Sequence, residues 1–384
     1  MTTRYPKNTW DPRSEKVQQD QLAAYDRMRD TCPVAHSDYL NWSVFRHEDV
    51  KAMVLDHHSF SSRVSSHLSV PNGMDPPQHG LFRAVVDRYF STEVMATFEP
   101  KARTIARTLV AALARERDIE IMSELGHTFA LRCQSAFMGW PEALEQPLLA
   151  WVRKNHDATL ARDVERLEAV ASEFDHHIQA LLVERRGSQS QDITARLLEE
   201  EVEGRPLSDE EIVSIIRNWT VGELGTIAAA VGIVLNFLAN NGEVQEMLRD
   251  NPHLLDKATD EIQRLHDPLV SNRRIATCPV EVGGRRFEAG TRFTLMWSAA
   301  NRDDLVFPDP EHFRLDRNSS DNLVYGAGIH VCPGAPLTRL ELRVLLEELF
   351  AANLRVVPVA GRPAHNAIYP AGGYSEVYLR LEQR

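Results

Sequence analysis

Apolar residues recur at three- and four-residue steps through most of the chain. "EEIVSIIRNW" (210–219), "RLEAVASEFDHHIQALLVERR" (166–186) and "LTRLELRVLLEELF" (337–350) all carry the pattern. Such spacing puts one apolar stripe along a helix. Strand-like alternation is confined to short pieces: "LNWSVFR" (40–46), "VEVGGRRFEAGTRFTLMW" (280–297) and "LRVVPV" (354–359). In the middle piece Gly283-Gly284 separates two short runs, which predicts a hairpin. "RRGSQSQD" (185–192) and "EEEVEGRPLSDE" (199–210) are polar breaks of loop length. With no internal repeat and no long low-complexity linker, the expectation is a mainly α chain, 1–384 as a single domain, with small β-sheets near each end.

The most apolar run, "TVGELGTIAAAVGIVLNFLA" (220–239), carries Glu223, Asn236 and three glycines. Its uninterrupted apolar part falls short of the ~20 residues a membrane span needs, so it reads as a buried helix. The opening "MTTRYPKNTWDPRSEK" has no apolar core, unlike a secretory signal. A formal net charge of −12 disfavours nucleic acid or an anionic membrane as the main partner. Four cysteines, Cys32, Cys133, Cys278 and Cys332, stand without any CxxC pair. That argues against a zinc ribbon or a disulfide framework and suits a cytoplasmic location.

One of these cysteines has a distinctive setting. In "YGAGIHVCPG" (325–334), Gly326 and Gly328 permit tight turning and close approach to a flat ligand. Pro333 is expected at the start of a helix carrying Leu337, Leu340 and Val344, with Asn353 as its stop. Cys332 would then lie at the positive end of that helix, where a thiolate is favoured. A lone thiolate suits a heme iron with one protein ligand better than a cluster or zinc; the alternative is a buried cysteine that only packs.

The loop resembles the heme-binding loop of the cytochrome P450 monooxygenases, Phe-Gly-x-Gly-x-His-x-Cys-x-Gly, with Tyr325 in place of the phenylalanine. "DEIQR" supplies Glu261 and Arg264, similar to the family's Glu-x-x-Arg, and "FPDPEHF" resembles the segment that completes a structural triad, with His312 in that slot. "DPPQHGLFRAVV" is similar to the family's "DPPEHxxxR" helix, and "SNRRIAT" brings Arg274. The resemblance implies that Cys332 ligates the iron of heme b (iron protoporphyrin IX), and that His79, Arg83, Arg274 and His330 hold its two propionates. It implies the cytochrome P450 fold, a triangular helical domain with heme between the long central helix and the cysteine-bearing helix.

The central helix departs from the family pattern Ala-Gly-x-Asp/Glu-Thr. Aligned on Gly222, Leu224 takes the acid slot and Gly225 the threonine slot, leaving Glu223 and Thr226 each one residue off. One residue is about 100° of turn. Either Glu223 and Thr226 form the proton relay across a locally unwound or water-bridged helix, or they pair structurally and water at Gly225 delivers protons. Pro333 also removes one N–H that would point at the sulfur, which predicts a more electron-rich thiolate.

The function expected from the resemblance is insertion of one oxygen atom from O2 into a C–H bond of a small or medium hydrophobic, possibly aromatic, substrate. Hydroxylation results, or O-dealkylation where the carbon belongs to an ether. The altered central helix leaves a peroxide-driven or non-oxygenase enzyme as the alternative, and a heme-based sensor or carrier as a third reading. Pocket residues expected by resemblance are Val221, Leu224, Leu269, Val270 and Tyr369, with the loop from Val64 to Met74; Arg63 is the one basic candidate. Electrons are expected from a ferredoxin and ferredoxin reductase, or from a fused reductase module outside this chain, docking near Arg339 and Arg343. No nucleic acid or membrane partner is expected. The subgroup resembled includes aromatic O-dealkylases and the heme parts of self-sufficient reductase-fused enzymes.

Overall fold

The structure, a computed structural model, describes residues 10–113, 117–161 and 163–384. Part of the opening stretch read above, residues 1–9, lies outside the described residues.

The apolar run at 220–239 belongs to one continuous helix, Asp209–Asn240. It starts at a capping box: Ser208 Oγ accepts from the Glu211 amide (3.2 Å) while the Glu211 carboxylate accepts from the Ser208 amide (2.8 Å). By length and composition this helix would suffice to cross a membrane. It runs instead through the protein core, burying Ile212, Ile216, Ile227, Val231 and Leu235 against the helices His127–Met138, Val164–Arg185 and Leu255–Leu265. The cysteine helix, Ala335–Ala351, packs along Thr92–Leu113. Arg103 joins Glu347 (2.6 Å) and Glu348 (3.1 Å) across that seam.

A five-stranded sheet runs in the order Val34–Ser37, Asn41–Val44, Arg292–Met296, Ser271–Ala276, Phe60–Ser61. Only the pairing of Arg292–Met296 with Asn41–Val44 is parallel. The expected hairpin joins Val280–Val282 to Arg285–Phe287. Gly283 (φ +55°) and Gly284 (φ +70°) both adopt the left-handed backbone that a two-residue turn demands. The strand "LRVVPV" pairs with Tyr378–Gln383, which also carries Asp118–Glu120.

Glu261 and Arg264 pair on the helix Leu255–Leu265, at 2.8 and 2.9 Å. The third member of this triad is Arg317, whose Nε donates to Glu261 Oε1 at 2.9 Å. His312, expected in that slot, contributes only its backbone carbonyl, which accepts from Arg317 at 3.0 Å. The physical reason is charge: Glu261 is almost fully buried, and a permanently charged guanidinium matches its carboxylate where a neutral imidazole would not. The triad reaches the cysteine loop through Asn301. Arg264 donates to the Asn301 carbonyl (2.7 Å), and Asn301 Oδ1 accepts from the Leu323 amide (2.8 Å).

Candidate functional site

Between the central helix and the cysteine loop lies a cavity of about 420 Å³. Its floor is the loop itself, folded back so that the Cys332 amide donates to the Tyr325 carbonyl at 2.8 Å. Gly326 (φ +70°) and Gly328 (φ +69°) are left-handed, and a Cβ at Gly328 would sit 2.7 Å from the Val54 carbonyl oxygen. Glycine is therefore required at 328 for both backbone and space. The tyrosine that replaces the family's phenylalanine brings a hydroxyl to this position, and Gln263 Nε2 lies 3.5 Å from it. The cysteine helix begins at Ala335 after Gly334, with Pro336 in its first turn, two residues later than Pro333 predicted.

The Cys332 side chain is accessible, and the space it meets is the cavity. Burial among protein atoms pushes its thiol pKa up, against a lowering by the Gly334 and Ala335 amides. The helix-end effect expected from sequence is present but outweighed, so a thiolate here calls for a cation. Among the described residues no group of three His, Cys, Asp or Glu side chains is placed to hold a metal ion.

Four basic or donor groups converge on one edge of the cavity. His79, from the helix Gln78–Arg88, is buried with Nε2 unpartnered, and His330 Nε2 is unpartnered as well; the rings stand 4.2 Å apart. Burial pushes His79 down, and burial together with the charges of His79 and Arg274 pushes His330 down to about 3. Arg274 is buried on the strand Ser271–Ala276 and, among the described residues, donates to the Arg273 carbonyl alone, at 2.7 Å. Desolvation depresses it to about 10. Arg83 reaches from its helix to the carbonyls of Ile329 (3.2 Å) and Val331 (2.6 Å) and pairs with Asp87 at 2.6 Å. Two orphaned imidazole nitrogens and a desolvated guanidinium that, among the described residues, has no carboxylate in ion-pair contact, with the Asp75 charge acting on all three only at longer range, form a site suited to anions. A thiol facing the same space completes what heme needs, an axial ligand and a propionate cradle, so the residues fit that group.

The central helix presents Asn218, Trp219, Gly222, Glu223 and Thr226 to the cavity. These positions fall on one helical face, and the helix is α throughout. The alignment on Gly222 is therefore corrected: Leu224 packs in the core at 3% exposure and Gly225 does not line the cavity, whereas Glu223 and Thr226 do. Packing of Leu224, Ile227 and Val231 sets the rotation of the helix, and no unwinding is involved. Thr226 Oγ1 donates to the Gly222 carbonyl one turn back.

Of the other pocket residues expected, Leu269 lines the cavity. Val221 does not, lying on a different face of the helix at 47% exposure, and Val270 is in the core. Tyr369 is also buried away from it, with its hydroxyl bonded to Ser271 Oγ at 2.6 Å. Arg63 is not a lining residue, whereas Arg83, Arg273 and Arg274 are. Arg339 and Arg343 are engaged by carboxylates, Arg339 by Asp260 (2.9 Å) and Arg343 by Glu99 (2.9 Å). Sequence reasoning missed Phe137 and Asn218, whose only signal was an apolar or polar residue on a helix, and Phe90, an apolar residue in the turn after the helix Gln78–Arg88. The loop that contributes Val64, Ser65 and Gly73 is tied down by Asn218, which donates to the Val70 carbonyl at 2.9 Å, and by Ser214 Oγ, which accepts from the Val70 amide at 2.9 Å.

The chain is similar in sequence and fold to known proteins. The family model described as Cytochrome P450 matches residues 135–358. Putative cytochrome P450 YjiB of Bacillus subtilis is 29% identical over 90% of each chain. The erythromycin C-12 hydroxylase of Saccharopolyspora erythraea is 30% identical over 84% of this chain and 85% of that protein. The solved structure of cytochrome P450 CYP109Q5 from Chondromyces apiculatus superposes with a TM-score of 0.87 at 26% identity, covering 98% of both chains.

Proposed function

The chain belongs to the cytochrome P450 family, whose members bind heme b, and from that premise we propose how this oxidoreductase works and on what. The reaction is monooxygenation at a C–H bond of a small or medium hydrophobic substrate, giving a hydroxyl, or O-dealkylation where the carbon is part of an ether. The observation that carries it is the joint placement of the Cys332 sulfur and the His79, Arg274 and His330 group around one cavity. When bound, the heme supplies the activation of O2 and the transfer of one oxygen atom.

The residues of the chain do the rest. Cys332 is the iron ligand; His79, Arg83, Arg274 and His330 take the two propionates. The desolvated state of Arg274 and the two histidines is relieved by those carboxylates, so cofactor binding stabilises the fold. Glu223 holds a carboxyl in the cavity wall, and Thr226 a hydroxyl one turn further along, which supports a role for the pair in carrying protons into the cavity. Phe90, Phe137, Trp219 and Leu269 make the wall largely apolar and exclude water. Relatives named for hydroxylation of erythromycin and of a methyl-branched lipid support a hydrophobic substrate. Electrons come from a ferredoxin and its reductase, or from a fused reductase module. The chain acts as a single heme-binding unit in the cytoplasm.

The test is the absorption spectrum of the reduced, heme-loaded protein with carbon monoxide. A red-shifted Soret band supports the iron–thiolate, and screening of hydrophobic compounds for a spin-state shift then identifies ligands. A band at the ordinary heme position, or no heme uptake by folded protein, overturns the reading.

A further inference from the structure

The loop that walls the cavity, residues 62–74, is closed at its neck by one carboxylate. Asp75 accepts from Ser61 Oγ at 2.5 Å and from the Ser62 amide at 3.0 Å. Its carbonyl accepts from the His79 amide at 3.0 Å, leading into the helix Gln78–Arg88. The two ends of the loop therefore meet beside the cradle, and the Asp75 charge acts on His79, Arg274 and His330.

One side chain in this neck is unsatisfied. Ser62 is 4% exposed, and its Oγ is buried without a hydrogen-bond partner among the described residues. The neighbouring hydroxyl differs: Ser61 Oγ donates to Asp75 and accepts from the Arg63 amide at 3.0 Å. A buried hydroxyl is nearly always bonded, because it has given up water and must replace it. The register of the sheet indicates what is missing. Phe60–Ser61 runs antiparallel to Ser271–Ala276, with Phe60 opposite Ala276 and Ser61 opposite Ile275. One step further in that register brings Ser62 across from Arg274, and residues directly opposite in an antiparallel pair share a face of the sheet. Ser62 also lines the cavity. The unpartnered hydroxyl beside this cation lacks what the cation lacks, an anionic acceptor.

We propose that Ser62 is a further cofactor-binding residue: its hydroxyl donates to a carboxylate of the heme, and through the Asp75 neck this contact steadies the loop 62–74 over the substrate cavity. The inference rests on the heme reading above and adds a link between two sites. Val64, Ser65 and Gly73 of the loop line the cavity, so filling the cradle steadies the wall against which substrate packs.

The test is resonance Raman spectroscopy of the ferric, heme-loaded protein, in which the propionate bending modes report hydrogen bonding to those carboxylates. Ser62→Ala should shift one of these modes, and Ser62→Thr, which keeps the hydroxyl, should restore it. Amide exchange across residues 63–74 of the loaded Ser62→Ala protein should be about tenfold faster, the equivalent of one hydrogen bond to a charged acceptor. Wild-type propionate modes in Ser62→Ala overturn the proposal, as does a Ser62→Thr protein whose modes match those of Ser62→Ala. Shifted modes with wild-type exchange in the loop overturn the link between the sites. Failure of the functional reading looks different: the wild-type protein then takes up no heme, or its carbon monoxide band lies at the ordinary heme position.

Discussion

Replacing Glu261 by alanine should destabilise the protein far more than its distance from the cavity suggests. Its carboxylate accepts from Arg264 Nε (2.8 Å) and NH2 (2.9 Å), from Arg317 Nε (2.9 Å) and from the Arg314 amide (3.2 Å). Arg264 has no exposed surface and Arg317 is nearly buried, so truncation strands two desolvated cations. Removing one partner of a buried ion pair costs about 3–5 kcal/mol. Against a typical total of about 5–15 kcal/mol, that is about a fifth or more of the folding free energy. The loss should travel, because Arg264 holds Asn301 and Asn301 holds the Leu323 amide, two residues before the cysteine loop. Denaturant unfolding followed by fluorescence, with heme content measured on the same samples, checks both parts. Glu261→Gln keeps one acceptor and should fall between wild type and alanine. An alanine variant within about 0.5 kcal/mol of wild type, the range of an ordinary surface substitution, with full heme content would refute the reasoning.

Further outcomes follow from single contacts. Gly328→Ala should cost at least about 1–2 kcal/mol from left-handed strain, plus the clash with the Val54 carbonyl, and lower heme retention. Gly80→Ala, in open space on a helix, should instead be neutral or stabilising in the same thermal melts. Burial raises the folded-state pKa of Glu341, and that of Glu223 from 4.5 to about 7, so the native state binds more protons than the unfolded chain in that window. Stability should therefore fall as pH rises from about 4.5 to 7, and the melting-temperature profile of the Glu223→Gln/Glu341→Gln double variant should be flatter. A wild-type profile that rises relative to the double variant would contradict the sign. Asn218→Ala removes the bond to the Val70 carbonyl, worth about 1 kcal/mol, so amide exchange across residues 68–74 should speed up by about fivefold or more; unchanged protection would show that the loop is held elsewhere. Pro333→Leu restores an N–H near the sulfur beside those of Gly334 and Ala335, and should raise the iron potential in a redox titration.

The parts of this protein legible in its sequence are those encoded in short windows. Gly326, Gly328 and Cys332 lie within seven residues, and the backbone they need is a local demand that almost no other residues meet. The Gly283-Gly284 hairpin and the helices read from their apolar stripes are local for the same reason. What the windows do not contain is rotation and partnership. The face that Glu223 and Thr226 present depends on how Leu224 and Ile227 pack against neighbouring helices, so a one-residue argument about Gly222 could not settle it. Arg317 rather than His312 meets Glu261 because the chain folds back 56 residues later, and burial there selects a permanent cation. Glu341 looks in sequence like one more charge on an amphipathic helix, and becomes a carboxyl whose pKa is pushed up only when packing buries it. Local backbone chemistry thus determined where the cysteine loop would be, and tertiary packing decided which side chains surround it, because desolvation is a property of the enclosed space and not of the residue.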